Sequence, residues 1–129
     1  MFGRKKQPRD GVEAEARVVR MAPTAKAARR PDKLDVEYEF HLAIDVPGRG
    51  VVEADVVEVV PHRKLVAIGQ RIPVVVSSSE PTHVAIDFGK MPDAGDRAAA
   101  AAAAAERGDS AAVAEALGFT LADPPDSTN

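Results

Sequence analysis

The chain has 129 residues, no cysteine and a formal net charge of -3. Without cysteine it can form no disulfide framework, thiolate zinc site or cysteine nucleophile. The length fits one domain of ordinary size, and no apolar run approaches the ~18 residues that span a bilayer.

The apolar residues favour a sheet. Alanine supplies 24 of them, and among the rest 17 are valine against 5 leucine and 4 isoleucine. Because β-branched side chains prefer strands, this bias predicts a β-sheet or a small barrel as the core.

The charge is divided unevenly along the chain. Residues 1–31 carry nine Lys/Arg against three Asp/Glu, whereas residues 32–129 carry eight against seventeen. Since charge sign governs association rather than fold, this asymmetry indicates an anionic partner for the N-terminal part alone; a merely solubilising basic start is the alternative.

The first predicted strand covers residues 12–21. Apolar residues occupy one face up to Val18 and then change to the other face at Val19 and Met21. Such a change of parity predicts a β-bulge or a strongly bent strand. Residues 22–32 contain two prolines and three basic residues and predict a loop.

The second strand has the clearest pattern, because residues 34–46 alternate apolar and mostly polar side chains without interruption. This predicts a half-buried antiparallel strand. A three-residue loop, Gly48 to Gly50 with Gly50 left-handed, would place Val46 opposite Val52 and bring the inward residues of both strands together.

The third strand ends with a second change of parity at Val57 and Val59, which predicts another bulge near Val56 and Val57. Residues 61–70 lose the alternation and predict a short helical turn that stops at Gly69. Alternation returns at residues 71–76 and 82–88. Five strands with a short helix between the third and fourth give the order of an OB-type barrel.

The C-terminal third is rich in alanine. A helix containing residues 98–105, capped by Asp96, should stop at Gly108, and a second, capped by Asp109 or Ser110, should end at Gly118. The predicted organisation is mainly β: a basic flexible tail (1–10), a small five-stranded OB-like antiparallel barrel (11–91), an alanine-rich helical arm (95–118) and a disordered tail (119–129). We expect the arm to dock on the barrel or on another subunit.

Several short segments within residues 11–88 resemble one family. They are residues 16–19, 45–48, 59–61, 69–74 and 84–87, with sequences ARVV, DVPG, VVP, GQRIPV and VAID. Together they are similar to the small OB-like β-barrel domains of uncharacterised actinobacterial proteins. The resemblance implies a five-stranded barrel, a bacterial setting in the cytoplasm or beside a membrane, and no catalytic residues to transfer.

The motif search finds no catalytic constellation, cofactor-binding motif or metal site. His41, His62 and His83 lack the spacing of zinc ligands, and the serines at 77–79 lack a nucleophile-elbow context. We therefore expect a non-enzymatic protein-interaction or accessory module of a larger bacterial assembly, located in the cytoplasm.

The alternative function is nucleic-acid binding through the basic N-terminal region. The candidate contacts for an anionic partner are Arg4, Lys5, Lys6, Arg9, Lys26, Arg29 and Arg30. Nucleic acid is disfavoured because single-strand binding needs exposed aromatic side chains, and Tyr38, Phe40 and Phe88 have inward parity. Four basic residues beside Phe2 give only weak contact with an anionic membrane surface.

Overall fold

The computed structural model describes residues 11–80 and 83–119. The predicted basic tail and residues 120–129 of the predicted C-terminal tail lie outside this part. The strands and helices, in chain order, are β1 (Gly11–Pro23), α1 (Ala25–Ala28), β2 (Val36–Val46), β3 (Gly50–Val60), β4 (Arg71–Ser77), β5 (Val84–Ile86), α2 (Ala94–Glu106) and α3 (Ser110–Ala116). One 3-10 turn, Phe88–Lys90, follows β5.

The five strands form one antiparallel sheet that curls into a half-barrel, with the order β3-β2-β1-β4-β5. Its concave side encloses the core, because the alternating apolar residues of all five strands point inward. Fully buried core side chains include Val18, Phe40, Leu42, Ile44 and Ile72. The prediction of a mainly β fold with five antiparallel strands is confirmed.

The bulge predicted in β1 is confirmed, since the register of β1 against β2 shifts between Val18 and Arg20. The bulge predicted near Val56 and Val57 is wrong. The β2–β3 ladder runs without a shift from Val36 opposite Val60 to Val46 opposite Gly50.

Glu58 explains the change of parity in β3. It takes an inward position at 8% exposure. Its Oε2 accepts a hydrogen bond of 3.0 Å from the backbone N–H of Ile86 in β5. Glu58 thereby links the two outer strands of the sheet, and Val57 and Val59 on either side of it face outward.

The β2–β3 hairpin keeps the predicted parity but has a different register. Val46 pairs with Gly50 rather than facing Val52. Pro47 and Gly48 occupy the centre of a turn closed by the Arg49 N–H on the Val46 carbonyl at 2.9 Å, with Gly48 at φ +81°. Proline followed by a glycine of positive φ is the preferred sequence of a type II turn, which starts one residue earlier than the predicted loop. Gly50 is left-handed as predicted, at φ +84°.

The connector between β3 and β4 contains turns and an isolated bridge, Lys64 to Asp93, in place of the predicted helical turn. The Lys64 Nζ contacts Asp93 Oδ1 at 2.8 Å and donates to the Met91 carbonyl at 2.7 Å. These contacts hold the connector extended against the segment that leads into α2. A short helix, α1, forms instead between β1 and β2, where a loop was predicted.

Helix α2 starts after Asp93, three residues before the predicted cap at Asp96, while α3 starts after Asp109 as predicted. The Asp93 carboxylate is engaged by Lys64 and makes no side-chain cap bond. Gly108 and Gly118 follow the two helices with positive φ, which closes each helix end as predicted.

The helical arm docks on the barrel through Gln70. This side chain is 0% exposed, and its Oε1 accepts from the Ala67 N–H at 2.9 Å while its Nε2 donates to the Leu117 carbonyl at 3.1 Å. The Arg71 N–H adds a bond of 2.8 Å to the Gly118 carbonyl. The end of α3 is therefore fixed to the start of β4.

Candidate binding face

The outward side of β1, β2 and β3, which we call the outer face, carries the outward-facing valines Val57 and Val59 among charged residues. On β2 and β3 its rows pair Glu37 with Val59, Glu39 with Val57, and His41 with Asp55. Val57 is 46% exposed. A bulge was predicted at these valines, but the ladder is unbroken, so both side chains point outward.

A groove of about 710 Å³ lies at the α1 end of the outer face, and we call it the cationic groove. Its lining contains the basic side chains of Lys26, Arg30 and Lys33. It also contains four apolar side chains, those of Ala27, Leu34, Val36 and Val59. Leu34 is 73% exposed. The groove thus offers both positive charge and apolar surface to an occupant.

Thr24 determines where these cations lie, because it caps α1 and also holds it against β2. Its Oγ1 accepts from the Ala27 N–H at 3.2 Å and donates to Glu37 Oε1 at 2.8 Å. Its backbone N–H donates to the Glu37 carbonyl at 3.1 Å. A threonine at this position is a preferred helix cap, so the segment predicted as a loop becomes an ordered wall of the groove.

The cations of the cationic groove are available to a ligand, whereas two of its three carboxylates are engaged. Across residues 11–80 and 83–119, Lys26, Arg30 and Lys33 form no ion pair. Glu37 is bound to Thr24, and Asp35 is bound to His62 as described next. Asp32 remains as the one acid of the lining without a partner in the described part of the chain.

Asp35 and His62 form a compact pair in the wall of the groove. Asp35 Oδ1 lies 2.9 Å from His62 Nδ1 and accepts the His62 backbone N–H at 2.9 Å. The side-chain hydrogen bond from His62, reinforced by the backbone bond, lowers the pKa of the Asp35 carboxyl. Asp35 is therefore ionised at neutral pH, and its Oδ1 is occupied by His62.

His41 lies between two carboxylates further along the outer face. Its Nδ1 is 2.7 Å from Asp55 Oδ1 and its Nε2 is 2.5 Å from Glu53 Oε1. Hydrogen bonding to Asp55 first and Glu53 second raises the pKa of the imidazole, which favours the doubly protonated ring. Because the carboxylates approach from opposite nitrogens, the arrangement holds the ring in place; it does not gather three groups around one ion.

Three of the predicted contacts for an anionic partner lie among the described residues. Lys26, Arg29 and Arg30 lie on α1 or directly after it, and two of them line the cationic groove. Arg4, Lys5, Lys6 and Arg9 lie outside the described residues. Sequence reasoning missed Lys33 and Leu34, which complete the groove. The signal that could have identified this face was the pair of valines with outward parity.

The described residues contain no group of three or more His, Asp or Glu side chains that could hold a metal ion. Among the helices of this same part, none is long and apolar enough to cross a membrane. No protein-family model matches the chain, and no curated protein and no solved structure matches it either.

Proposed function

We propose that the protein is a non-enzymatic interaction module, an accessory part of a larger bacterial assembly, which binds an acidic segment of a protein partner in the cationic groove. The observation that carries this proposal is that three cations without ion-pair partners line one groove together with apolar side chains. An extended segment with both carboxylate and aliphatic side chains complements such a surface, since the cations take its charges and Leu34 and Val59 take its apolar groups.

The strand order supports an OB-like assignment of the barrel. In that fold five strands form a partly open barrel, and ligands bind on the face of strands 2 and 3 and at the loop between strands 1 and 2. Here β3 and β5 approach each other through Glu58, and the cationic groove lies between the β1–β2 connection and the ends of β2 and β3. The groove therefore occupies the position at which OB-like barrels take their ligands.

A peptide fits the groove better than a single-stranded nucleic acid does. Nucleic-acid binding without sequence preference relies on aromatic side chains that stack on bases. Of the described aromatics, Phe40 and Phe88 are buried, Tyr38 packs against the core, and Phe119 is half-buried beside Gly69. The apolar lining of the groove is aliphatic, and it suits side chains of a peptide.

Fluorescence anisotropy tests the proposal directly. The labelled ligands are a peptide of alternating Glu and Leu, its Gln and Leu counterpart, and a single-stranded oligonucleotide of similar length. The proteins are the wild type, the double variant Lys26→Ala/Arg30→Ala, and the control Arg107→Ala, which removes an exposed cation from the far end of α2. An exposed ion pair contributes about 0.2–1 kcal/mol, so losing two should weaken the acidic peptide about twofold to thirtyfold.

We expect the acidic peptide to bind the wild type and the control equally, and the Gln peptide to bind far more weakly. Tighter binding of the oligonucleotide than of the acidic peptide would favour the nucleic-acid alternative. Equal affinity of the double variant and the wild type for the acidic peptide would show that the cationic groove is not the site.

A further inference from the structure

A second groove adjoins the cationic groove on the outer face. It has a volume of about 750 Å³, and we call it the central groove; its lining includes Arg20, Glu39, His41, Asp55, Val57 and Ile68. The Glu37–Val59 row borders the cationic groove and the next outward row, Glu39–Val57, borders the central groove. Rows two residues apart are separated by roughly 7 Å, so the two grooves form one continuous track.

Exposed aliphatic side chains line the middle of this track. Ile68 is 60% exposed and Val57 is 46% exposed. Val19, at the bulge of β1, is also exposed, and it follows Val18, whose carbonyl accepts the N–H of Gly69 next to Ile68. Neighbouring exposed apolar side chains rimmed by charged groups are typical of interaction sites.

The charged groups available to a ligand differ between the two ends of the track. From the Glu39–Val57 row onward, β2 and β3 present four outward carboxylates and one imidazole; the carboxylates are Glu39, Asp45, Glu53 and Asp55, and the imidazole is that of His41. Two of the four share His41, whereas Glu39 and Asp45 have no partner among the described residues. Arg17 and Arg20 lie on the β1 side of this surface. The α1 end of the track thus offers three cations without ion-pair partners, whereas β2 and β3 offer the carboxylates of Glu39 and Asp45.

We propose that this track binds an extended peptide segment that is acidic at one end and basic at the other. Its acidic residues lie in the cationic groove, its aliphatic residues over Val57 and Ile68, and its basic residues beside Glu39 and the carboxylates beyond it. This inference rests on the proposed function and adds the chemistry of the rest of the ligand. The seven residues from Glu53 to Val59 extend over roughly 20 Å, which a segment of about six to nine extended residues covers.

Three peptides of nine residues separate this inference from the proposed function. The segregated peptide has three Glu, three aliphatic residues and three Lys in blocks. The mixed peptide has the same composition with alternating charges. The third peptide, which is the acidic peptide of this comparison, is the segregated peptide with Gln in place of Lys. The segregated and mixed peptides have equal net charge, so any difference between them reports the order of charges along the track. We expect the segregated peptide to bind the wild type at least about fivefold more tightly than the mixed one.

The variant Glu39→Lys provides a second, independent readout. Glu39 is exposed, faces the central groove and has no partner to lose. Reversing the charge of Glu39 should weaken binding of the segregated peptide at least about threefold. It should leave binding of the acidic peptide unchanged or make it tighter. Glu106→Lys makes the same charge change at the exposed end of α2 and should change neither affinity.

Equal affinity of the segregated and mixed peptides, with acidic-peptide binding intact, would overturn the bipolar track and leave the proposed function standing. The same conclusion follows if Glu39→Lys and Glu106→Lys affect the segregated peptide alike. If neither the acidic nor the segregated peptide binds the wild type, the proposed function fails as well.

Discussion

Replacement of Gln70 by leucine should detach the end of α3 from the barrel. Leucine fills a volume similar to that of glutamine at this fully buried position, but it lacks the acceptor for the Ala67 N–H and the donor for the Leu117 carbonyl. An unsatisfied buried polar group costs about 1–3 kcal/mol. Because Leu117 is only half-buried, water can reach its carbonyl. We therefore take the lower end of this range for each group, which gives a loss of about 2 kcal/mol for the two groups together.

Thermal unfolding followed by circular dichroism measures this loss. For a domain of this size 1 kcal/mol corresponds to about 4 °C, so Gln70→Leu should lower the Tm by about 8 °C. Glu106→Gln, at an exposed position on α2, is the matched control and should leave the Tm unchanged. Amide hydrogen exchange should accelerate in α3 more than in β2. A Tm within about 2 °C of wild type, or exchange in α3 equal to that of the wild type, would refute the role of Gln70 in docking.

Three further measurements test the fold and the outer face. In Gly118→Ala the new Cβ would lie 2.6 Å from Gln70 at φ +92°, so urea unfolding should show a loss of at least about 1 kcal/mol; an unchanged free energy of unfolding would contradict both the close contact and the left-handed backbone at Gly118. Glu58→Ala leaves the Ile86 N–H without its acceptor and should lose about 1–3 kcal/mol, while Glu58→Gln, which retains an oxygen, should lose less; equal losses would contradict the link between β3 and β5. Because the pKa of His41 is raised in the folded state, its imidazolium stabilises the fold below the unfolded pKa near 6.5, and this contribution disappears as pH rises through the folded pKa. An NMR titration of the His41 ring should therefore have a midpoint above 6.5. A midpoint at or below 6.5 would refute the contacts of His41 with its two carboxylates.

Side-chain alternation was sufficient to predict the five strands and the β1 bulge, because strand parity is a direct consequence of one-sided burial. It failed at Val57 and Val59 because it assumed that valine faces inward. Glu58 faces inward instead, where a hydrogen bond from the β5 backbone compensates its burial. That partner is 28 residues away in the chain, and local patterning contains no information about it.

The candidate site was predicted only in part. Composition located the cations around residues 26–30, since their charge stands out in the sequence. The groove itself depends on Thr24 capping a helix of four residues and bonding to Glu37 across the β1–β2 connection. Such a short helix has little intrinsic stability and owes its order to tertiary contacts, so propensity alone predicts a loop.

Chemical-shift mapping of the labelled protein, titrated with the acidic peptide of alternating Glu and Leu, tests the central claim most directly. If the cationic groove is the binding site, amide shifts should concentrate at residues 25–37 and 57–62, and Lys26→Ala/Arg30→Ala should abolish most of them. Shifts confined to α2 and α3, or a pattern that the double variant leaves unchanged, would contradict the account.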